Sequence, residues 1–346
     1  MARIVITGGA GFIGSQLGYR LHNDGHDVIL VDDMSFGYKD NLEINGKTFG
    51  TFIKADVRSP IMGNILANVD YVFHFAGISS LPVCQQDPYS AVDINVGGTV
   101  NILEHSRRNG VKRVIFASTS AIYENNINFP SDETNNVAPD LVYATSKLQA
   151  EHSCRVYSNS YNLDVVIIRY YNVYGPHQDF RRLSPPLTGY ILRELLLGNI
   201  PVLHSTGDQR RDYVYVDDVN DLNMLCMTHV NAPGNIFNAA SGEAFSVKTI
   251  YSILAQALQS DIEPVFHTAS KFWDKYPDLF EGPYPLKSIR LEKEVNKFTL
   301  GSYQKAKALL GWSPKMPFLL GLKTTADFAK SMFEQDNARI KVSAKL

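Results

Sequence analysis

Hydrophobic residues in the first half of the chain form short runs, and these alternate with stretches in which apolar positions recur at helical spacing. One run, Val165-Val166-Ile167-Ile168, is continuously apolar, as expected for a strand buried on both faces. The predicted strands are Arg3–Thr7, Asp27–Asp32, Thr51–Lys54, Asp70–Phe75, Arg113–Ser118 and Asp164–Arg169. The predicted helices are Phe12–Asn23, Ala91–Asn109 and Ala144–Ser158. This alternation predicts an α/β fold with a doubly wound parallel sheet.

Beyond Tyr171 the pattern becomes irregular and richer in proline, which indicates a smaller mixed α/β lobe that binds substrate. Two later stretches, Tyr213–Val219 and Asn235–Ala240, are interpreted as returns to the sheet. The predicted domains are therefore residues 1–171 plus 213–243 for the sheet and residues 172–212 plus 244–346 for the lobe.

Composition narrows the class of protein. The 346 residues are 45% hydrophobic and 20% charged, enough for a buried core, and the net charge of -2 argues against a nucleic-acid partner. The three cysteines lie far apart, so neither a disulfide framework nor a metal site is expected. The first strand starts at once and the apolar runs are short, so we expect no signal peptide, no membrane span and a cytoplasmic enzyme.

A glycine-rich stretch, Thr7-Gly8-Gly9-Ala10-Gly11-Phe12-Ile13-Gly14, follows the first predicted strand and opens the first predicted helix. Glycine lets the backbone approach a pyrophosphate closely, and the helix N-terminus offers N–H groups and a positive dipole end. The predicted phosphate contacts are Gly8, Gly11, Phe12, Ile13 and Gly14. Asp32 ends the next strand, 18 positions after Gly14, close to the ~20 expected for a carboxylate that binds the adenosine ribose. Such a carboxylate repels a 2′-phosphate, so the predicted cofactor is NAD.

Two later strand ends are predicted to complete the cofactor site. Asp56 and Val57 follow the third strand and can reach the adenine, although a surface turn with an incidental charge pair fits them equally well. Phe75, Ala76 and Gly77 end the fourth strand, where small residues let the backbone lie against the cofactor. A tight strand exit without a ligand is the alternative interpretation of these three residues.

Tyr143 and Lys147 are four residues apart at the start of a predicted helix, and so lie on one face of it. A phenol with the ordinary pKa near ~10 is a poor base at neutral pH. A neighbouring ammonium and the positive nicotinamide ring favour the phenolate, so Tyr143 is the predicted base, and Lys147 can also bind the nicotinamide ribose. Ser118-Thr119-Ser120 ends the fifth strand at the carboxyl edge, where a hydroxyl can reach the reacting substrate oxygen. Capping of the next turn is the alternative role.

Together these motifs and Arg169-Tyr170-Tyr171-Asn172-Val173-Tyr174-Gly175-Pro176 resemble the NAD-dependent epimerase/dehydratase branch of the extended short-chain dehydrogenases/reductases. The resemblance runs from Arg3 to about Pro314, where Leu310-Gly311-Trp312-Ser313-Pro314 is similar to a late L-G-W-x-P motif. It implies a Rossmann-type sheet with a nucleotide-sugar-binding lobe, a UDP-sugar as the commonest kind of substrate, and a homodimer.

The resemblance also implies roles for single residues. Tyr143 would be the base and Lys147 its partner, with the hydroxyls of Thr119 and Ser120 beside the substrate and Ser118 beside the cofactor. Asn172 is similar to an asparagine that contacts the nucleotide diphosphate. Arg211 and Arg290 are similar to arginines that bind the substrate phosphates.

The reaction follows from what comes after Thr119. In the 4,6-dehydratases of the family an Asp-Glu pair stands there and drives elimination of water, whereas this chain has Ser120-Ala121. Elimination needs an acid and a base together, and neither residue supplies one. The resemblance therefore implies a 4-epimerase, in which tightly bound NAD oxidises C4 and the hydride returns to the opposite face.

Three features keep other interpretations open. Glu124 stands where relatives usually carry glycine, and Glu292-Lys293-Glu294 stands near Arg290, where they usually carry a Gly-Asp pair. The segment 179–186 lies where relatives build the sugar pocket and is unusually basic. A dehydratase with a non-standard acid or base is therefore one alternative, and an NAD-binding regulator without turnover is the second.

Overall fold

The computed structural model describes residues 1–44, 46–182 and 184–343, with side chains described to residue 335. The chain divides into two compact units. Of the described residues, the first unit comprises those in 1–171, 217–242 and 300–314, and the second comprises those in 172–216, 243–299 and 315–343. Residues 300–314 therefore lie with the sheet unit, whereas the sequence assigned them to the lobe.

The strands include those predicted in the first half and several short ones beyond it. They are β1 (Arg3–Thr7), β2 (Asp27–Asp32), β3 (Glu43–Ile44), β4 (Lys47–Thr48), β5 (Thr51–Lys54), β6 (Tyr71–His74), β7 (Arg113–Thr119), β8 (Val165–Tyr170), β9 (Asn172–Tyr174), β10 (Val202–His204), β11 (Arg210–Tyr215), β12 (Ile236–Ala239), β13 (Ala244–Ser246) and β14 (Val265–His267).

The helices are α1 (Phe12–Asn23), α2 (Met62–Ile65), α3 (Leu81–Gln86), α4 (Pro88–Val92), α5 (Thr99–Arg108), α6 (Val142–Tyr161), α7 (Leu187–Leu196), α8 (Val216–Thr228), α9 (Val247–Ala257), α10 (Ser288–Asn296), α11 (Gln304–Leu310) and α12 (Phe318–Ser343). A π-helical turn, Asp93–Gly98, joins α4 to α5. The predicted helix Ala91–Asn109 is thus interrupted by this turn.

The first unit is built on a seven-stranded parallel sheet in the order β12-β8-β7-β6-β1-β2-β5. The α/β prediction with a doubly wound parallel sheet is confirmed. The chain leaves β1 toward β2 and β5, and then returns to place β6 on the other side of β1. Ligands of open α/β sheets bind beyond the carboxyl ends of the strands at such a reversal.

Burial of the central strands explains why the sheet forms. Val5, Val72 and Phe116 are completely buried in one core cluster, and Ile167 is almost so. Full burial of an aliphatic or aromatic side chain stabilises the fold by about 1.5–3 kcal/mol. The apolar strands hold the polar strand ends in place, and those ends form the candidate site.

The second unit contains a three-stranded mixed sheet in the order β13-β11-β9 and a two-stranded sheet of β10 and β14. The interpretation of Tyr213–Val219 as a return to the main sheet is wrong. Tyr213–Tyr215 pairs with β9 in the second unit, and Val216 begins α8, which has Asp217 and Asp218 in its first turn. Local pattern identified a strand here but not its partners. Asn235–Ala240, in contrast, does contain a strand of the main sheet, β12.

Candidate active site

The glycine turn lies at the carboxyl end of β1, beside the end of β6. Gly8 has φ +70°, and a Cβ there would lie 2.9 Å from the backbone nitrogen of Ala76. A Cβ on Gly14 would lie 2.4 Å from the carbonyl oxygen of Gly8. Only glycine at these positions allows the turn, α1 and the β6 exit to pack this closely.

The N-terminus of α1 opens at this turn without a side-chain cap. Gly11 is the N-cap residue and has no side chain to cap the helix, and the first turn of α1 carries no acidic residue. The first backbone hydrogen bond runs from Ser15 N–H to Gly11. The N–H groups of Phe12, Ile13 and Gly14 precede it, and the first N–H groups of a helix have no intrahelical acceptor. This end is therefore suited to a phosphate.

Asp32 ends β2 and is joined to the glycine turn. One carboxylate oxygen accepts from the N–H of Ala10 at 3.1 Å and the other from the N–H of Met34 at 2.8 Å. Burial raises the pKa of Asp32, which the two backbone donors oppose. A Cβ on Gly37 would lie 2.9 Å from Asp32 Oδ1, so glycine keeps this face of the carboxylate accessible. The arrangement fits a carboxylate that accepts from ribose hydroxyls.

Of the two predicted adenine contacts, Asp56 lies in a half-exposed cluster of charged side chains. Arg58 bridges Asp56 at 2.5 Å and Asp93 at 2.7 Å. Its guanidinium holds the pKa of Asp56 below the ordinary value. Val57 is buried, and its carbonyl accepts from the Asn101 side chain at 2.7 Å. Asp56 therefore has a charge partner, and its contact with a cofactor stays a prediction.

The exit of β6 carries Phe75, Ala76 and Gly77. The N–H of Phe75 donates to the Thr7 carbonyl at 3.1 Å, which holds this exit against β1. A Cβ on Gly77 would lie 2.7 Å from Asn95 Oδ1 and 3.9 Å from Lys147 Nζ. The small residues let the strand exit lie between the glycine turn and the helix of Lys147.

Tyr143 and Lys147 lie in the first two turns of α6. The Lys147 ammonium lies 4.4 Å from the centre of the Phe116 ring, and burial lowers the pKa of Lys147 to about 8. Lys147 therefore remains mostly protonated at neutral pH, as a residue that stabilises a phenolate must. Tyr143 is half-buried.

The three hydroxyl residues that end β7 differ in their surroundings. Ser118 donates to Glu151 at 2.5 Å, and Glu151 forms a buried bidentate ion pair with Arg169. The Ser118 hydroxyl is therefore part of the core. Thr119 Oγ1 accepts from the N–H of Ala121 at 3.1 Å and caps the 3₁₀ turn that Ser120 begins. Ser120 is half-buried.

Asn95, in the π-helical turn, connects the β6 exit to α6. Its Oδ1 accepts from the N–H of Ile78 at 2.8 Å, and its Nδ2 donates to the Ile78 carbonyl at 3.1 Å and to Ser146 Oγ at 3.0 Å. Ser146 in turn donates to the Tyr143 carbonyl at 2.8 Å. The sequence interpretation missed Asn95, because only the fold brings its partners together.

Glu124 is buried at the N-terminus of α6. Its Oε1 accepts from the N–H of Leu141 at 3.0 Å and from the N–H of Asp140. The N–H of Val142 donates to Gln85 Oε1 at 3.3 Å. Glu124 is therefore neither a solvated turn residue nor directed to solvent as a free acid. It binds the backbone N–H groups of the N-cap residue Leu141 and of the residue before it, and so holds the segment that leads into α6.

In the second unit, Glu294 lies among three cationic side chains. Its carboxylate is 2.7 Å from Lys297, 3.7 Å from Arg211 and 3.9 Å from Arg290. Burial opposes ionisation, but the charges of Lys297, Arg211 and Arg290 outweigh it and lower the pKa of Glu294. Arg211 also donates to the Glu294 carbonyl at 2.7 Å. This set of residues is hereafter the cationic cluster.

Other predicted residues of the second unit are placed as follows. Asn172 donates from Nδ2 to the Asp212 carbonyl at 2.8 Å, within the β9–β11 pair. Glu292 is exposed on α10. In the basic segment, Arg182 donates to the Ser184 carbonyl at 3.0 Å, while Leu183 lies outside the described residues.

The residues of the first unit fit NAD. The glycine turn provides a backbone cradle that a Cβ would fill, α1 provides N–H donors, and Asp32 provides a ribose acceptor. Among the described residues there is no group of three or more His, Cys, Asp or Glu side chains that could hold a metal ion. No helix in the described part of the chain is long and apolar enough to cross a membrane.

Fold and site together define a dinucleotide-binding α/β enzyme of the short-chain dehydrogenase/reductase type. Residues 4–240 match the NAD dependent epimerase/dehydratase family, and the chain belongs to that family. Its cofactor is therefore NAD, and its substrates belong to the nucleotide sugars.

Three similar proteins illustrate the family. UDP-glucose 4-epimerase of Mycolicibacterium smegmatis is 32% identical over 95% of this chain and 99% of its own length. UDP-glucuronic acid decarboxylase 1 of Xenopus tropicalis is 31% identical over 97% of this chain and 74% of its own length. The crystal structure of UDP-glucose 4-epimerase from Thermotoga maritima with UDP-glucose has a TM-score of 0.84 and 32% identity, covering 95% of this chain and 99% of that one.

Proposed function

We propose that this chain is an NAD-dependent 4-epimerase of a nucleotide sugar, with a UDP-hexose as substrate. The observation that carries the proposal is the segment after Thr119, where Ser120 and Ala121 provide no carboxylate for elimination. Glu124, the acidic residue that follows, accepts backbone N–H groups of the segment just before α6 instead. Two similar proteins, from M. smegmatis and T. maritima, are named as UDP-glucose 4-epimerases.

Each catalytic side chain has a distinct task in this proposal. Tyr143 removes the proton of the C4 hydroxyl and returns it after the sugar has turned. Lys147 stabilises the Tyr143 phenolate by its charge, and Thr119 or Ser120 hydrogen-bonds the same sugar oxygen. NAD, when bound, supplies the acceptor for the C4 hydride and afterwards its donor. Because the cofactor is regenerated in each cycle, we expect NAD to stay bound through purification.

The cationic cluster supports a nucleoside diphosphate sugar as the class of substrate. Arg211, Arg290 and Lys297 bring three cationic side chains to one carboxylate, that of Glu294. A nucleoside diphosphate sugar carries two negative charges, and planar guanidinium groups bind phosphate oxygens bidentately. Glu294 is held ionised there, so we assign it no role as an acid.

The test is incubation of the purified protein, without added cofactor, with UDP-, GDP- and dTDP-sugars in deuterated water. We expect the product to be a sugar isomer of unchanged mass that contains no solvent deuterium. Proton NMR identifies the isomer, and mass spectrometry measures its mass and deuterium content. Tyr143→Phe should lower turnover by about 10²–10⁴-fold, the usual range for a lost acid–base group. Tyr157→Phe is the matched control on α6, since Tyr157 donates to Glu104 instead.

Loss of one water from the product would contradict epimerisation and favour the dehydratase, with Glu292 the first residue to substitute. Absence of turnover with every sugar, together with retained NAD, would favour the regulator. A homodimer and a cytoplasmic location remain predictions, and sedimentation of the purified protein tests the first of them.

A further inference from the structure

A chain of buried polar side chains runs behind the NAD-binding edge of the sheet. Thr7 ends β1, His74 ends β6 and Thr99 begins α5, and each is at most 1% exposed. His74 Nδ1 lies 2.7 Å from Thr7 Oγ1, and His74 Nε2 lies 3.0 Å from Thr99 Oγ1. These three residues are hereafter the His74 relay. The proposed chemistry uses none of them directly.

The neighbours of the relay determine the direction of each hydrogen bond. The Thr99 hydroxyl donates to the Asn95 carbonyl at 2.6 Å, so its oxygen can only accept from His74. Burial and the charge of Lys147 lower the pKa of His74 to about 3, so the ring is neutral and carries one N–H. That N–H is therefore on Nε2, and Nδ1 accepts from Thr7. Thr7 in turn accepts from the N–H of Ala76 at 3.3 Å.

The two ends of the relay lie at functional parts of the first unit. Thr7 immediately precedes Gly8, and Ala76 lies against Gly8 at the β6 exit. At the other end, Asn95 bonds to Ser146, and Ser146 bonds to the carbonyl of Tyr143. Hydrogen bonds to the backbone and to the side chain of Asn95 thus join the relay, and with it the glycine turn, to the first turn of α6.

We infer that His74 is a positioning residue, held as the Nε2–H tautomer, which couples the NAD-binding turn to the segment that carries Tyr143 and Lys147. The inference rests on the proposed roles of Tyr143 and Lys147. A directed relay needs all its members, because a broken bond at either end leaves buried donors or acceptors unpaired along the path. Independent packing contacts, in contrast, would contribute separately.

The tautomer is tested by ¹⁵N NMR of the NAD-bound protein labelled at histidine nitrogens. The spectrum of His74→Gln identifies the His74 signals by their disappearance. We expect the shifts of a neutral ring protonated at Nε2, unchanged between about pH 6 and 8. A ring protonated at Nδ1, or one that gains a second proton in this range, would overturn the inference.

Coupling is tested by the rate at which NAD dissociates from Thr7→Val, Thr99→Val and the double variant. Each single substitution should speed dissociation by about tenfold, the equivalent of one buried hydrogen bond. The double variant should be no faster than the faster single variant, because either change already breaks the relay. Multiplication of the two single effects would show independent contacts and overturn the coupling. Thr99→Ser keeps the hydroxyl and should behave like the parent protein.

Thr325→Val is the matched control. Like Thr99, Thr325 is a buried helical threonine whose hydroxyl donates to the carbonyl four residues earlier, here Gly321 at 2.7 Å. Its substitution should lower the free energy of unfolding without changing the rate of NAD dissociation. If Thr325→Val speeds NAD dissociation as much as Thr99→Val does, the effect of the relay variants is a general loss of stability, and the coupling is contradicted. Neither the NMR experiment nor the measurement of NAD dissociation requires a substrate or catalytic turnover. The inference about His74 can thus be wrong while the epimerase proposal is right, and the epimerase proposal can be wrong while the inference is right.

Discussion

Single side chains at the site bind backbone groups that lie many residues away in the sequence, and Glu124 is one case. The helix of Tyr143 begins after Leu141, a residue that cannot cap it, and the carboxylate of Glu124 accepts two of the N–H groups there. An anion is also favoured at a helix N-terminus by the helix dipole. Glu124 therefore stabilises the segment that leads directly into the helix turn of Tyr143.

We expect Glu124→Ala to lower the free energy of unfolding by about 1–3 kcal/mol, because the N–H groups of Asp140 and Leu141 lose their acceptor. The same change should lower kcat by about tenfold with little change in KM, because Tyr143 loses its fixed position. Glu124→Gln keeps an acceptor oxygen and should retain most of the turnover. Steady-state kinetics on the nucleotide sugar that the substrate panel identifies, with chemical denaturation, measures both effects.

Ser246→Ala provides the control for this prediction, since Ser246 caps α9 by accepting from the N–H of Thr249 at 3.0 Å. It should cost similar stability and leave kcat unchanged. If Glu124→Gln loses turnover as completely as Tyr143→Phe, Glu124 transfers a proton itself, and the dehydratase alternative regains support.

The sequence predicts the parts of the site that local pattern encodes. Gly8, Asp32 and the Tyr143/Lys147 pair stand at spacings that follow from one turn or one helix. Asn95 and Glu124 have no comparable signal, since their partners lie far along the chain, as with Asn95 and Ser146, 51 residues apart. Their roles depend on how the elements pack, and a single sequence does not show that.

Among the strands and turns, too, some features follow from local sequence pattern and others depend on distant parts of the chain. Buried parallel strands such as β8 are predictable because continuous apolar runs occur in few other settings. The strand β11 was predicted as a strand but assigned to the wrong sheet, because its pairing with β9 and β13 depends on residues elsewhere. The π-helical turn Asp93–Gly98 has no local pattern that distinguishes it from an α-helix.

The glycine turn supports a graded prediction. An alanine in a helix is normally more favourable than glycine, but a Cβ on Gly14 would lie 2.4 Å from the Gly8 carbonyl oxygen. At Gly11 the closest contact would be 3.1 Å, and its φ of −81° suits any residue. Overpacking costs about 1–3 kcal/mol, so Gly14→Ala should weaken NAD binding by about 10–100-fold.

Gly11→Ala should have the smaller effect on NAD binding, because its N-cap conformation needs no change. Isothermal titration of the cofactor-free protein with NAD measures both affinities, and the NAD content of the purified variants gives an independent readout. Equal losses from both variants, or a larger loss from Gly11→Ala, would contradict the proposed packing of α1 on the turn.

For the whole molecule, the buried His74 makes stability depend on pH. Its pKa is lowered to about 3 in the fold by burial, with a contribution from Lys147, against an ordinary value of 6.5 in the unfolded chain. Between these values the unfolded chain binds a proton that the folded chain does not. Stability is therefore full above about pH 6.5 and is lost as pH falls toward 3.

We expect the free energy of unfolding to fall more steeply with decreasing pH in the parent protein than in His74→Gln. The difference should approach one proton, or about 1.4 kcal/mol per pH unit, between about pH 6 and 4.5. His177, whose pKa burial lowers to about 4, acts in both proteins and cancels in the difference. Chemical denaturation at a series of pH values measures these slopes, and parallel curves for the parent and His74→Gln would mean that His74 is not held neutral by the fold.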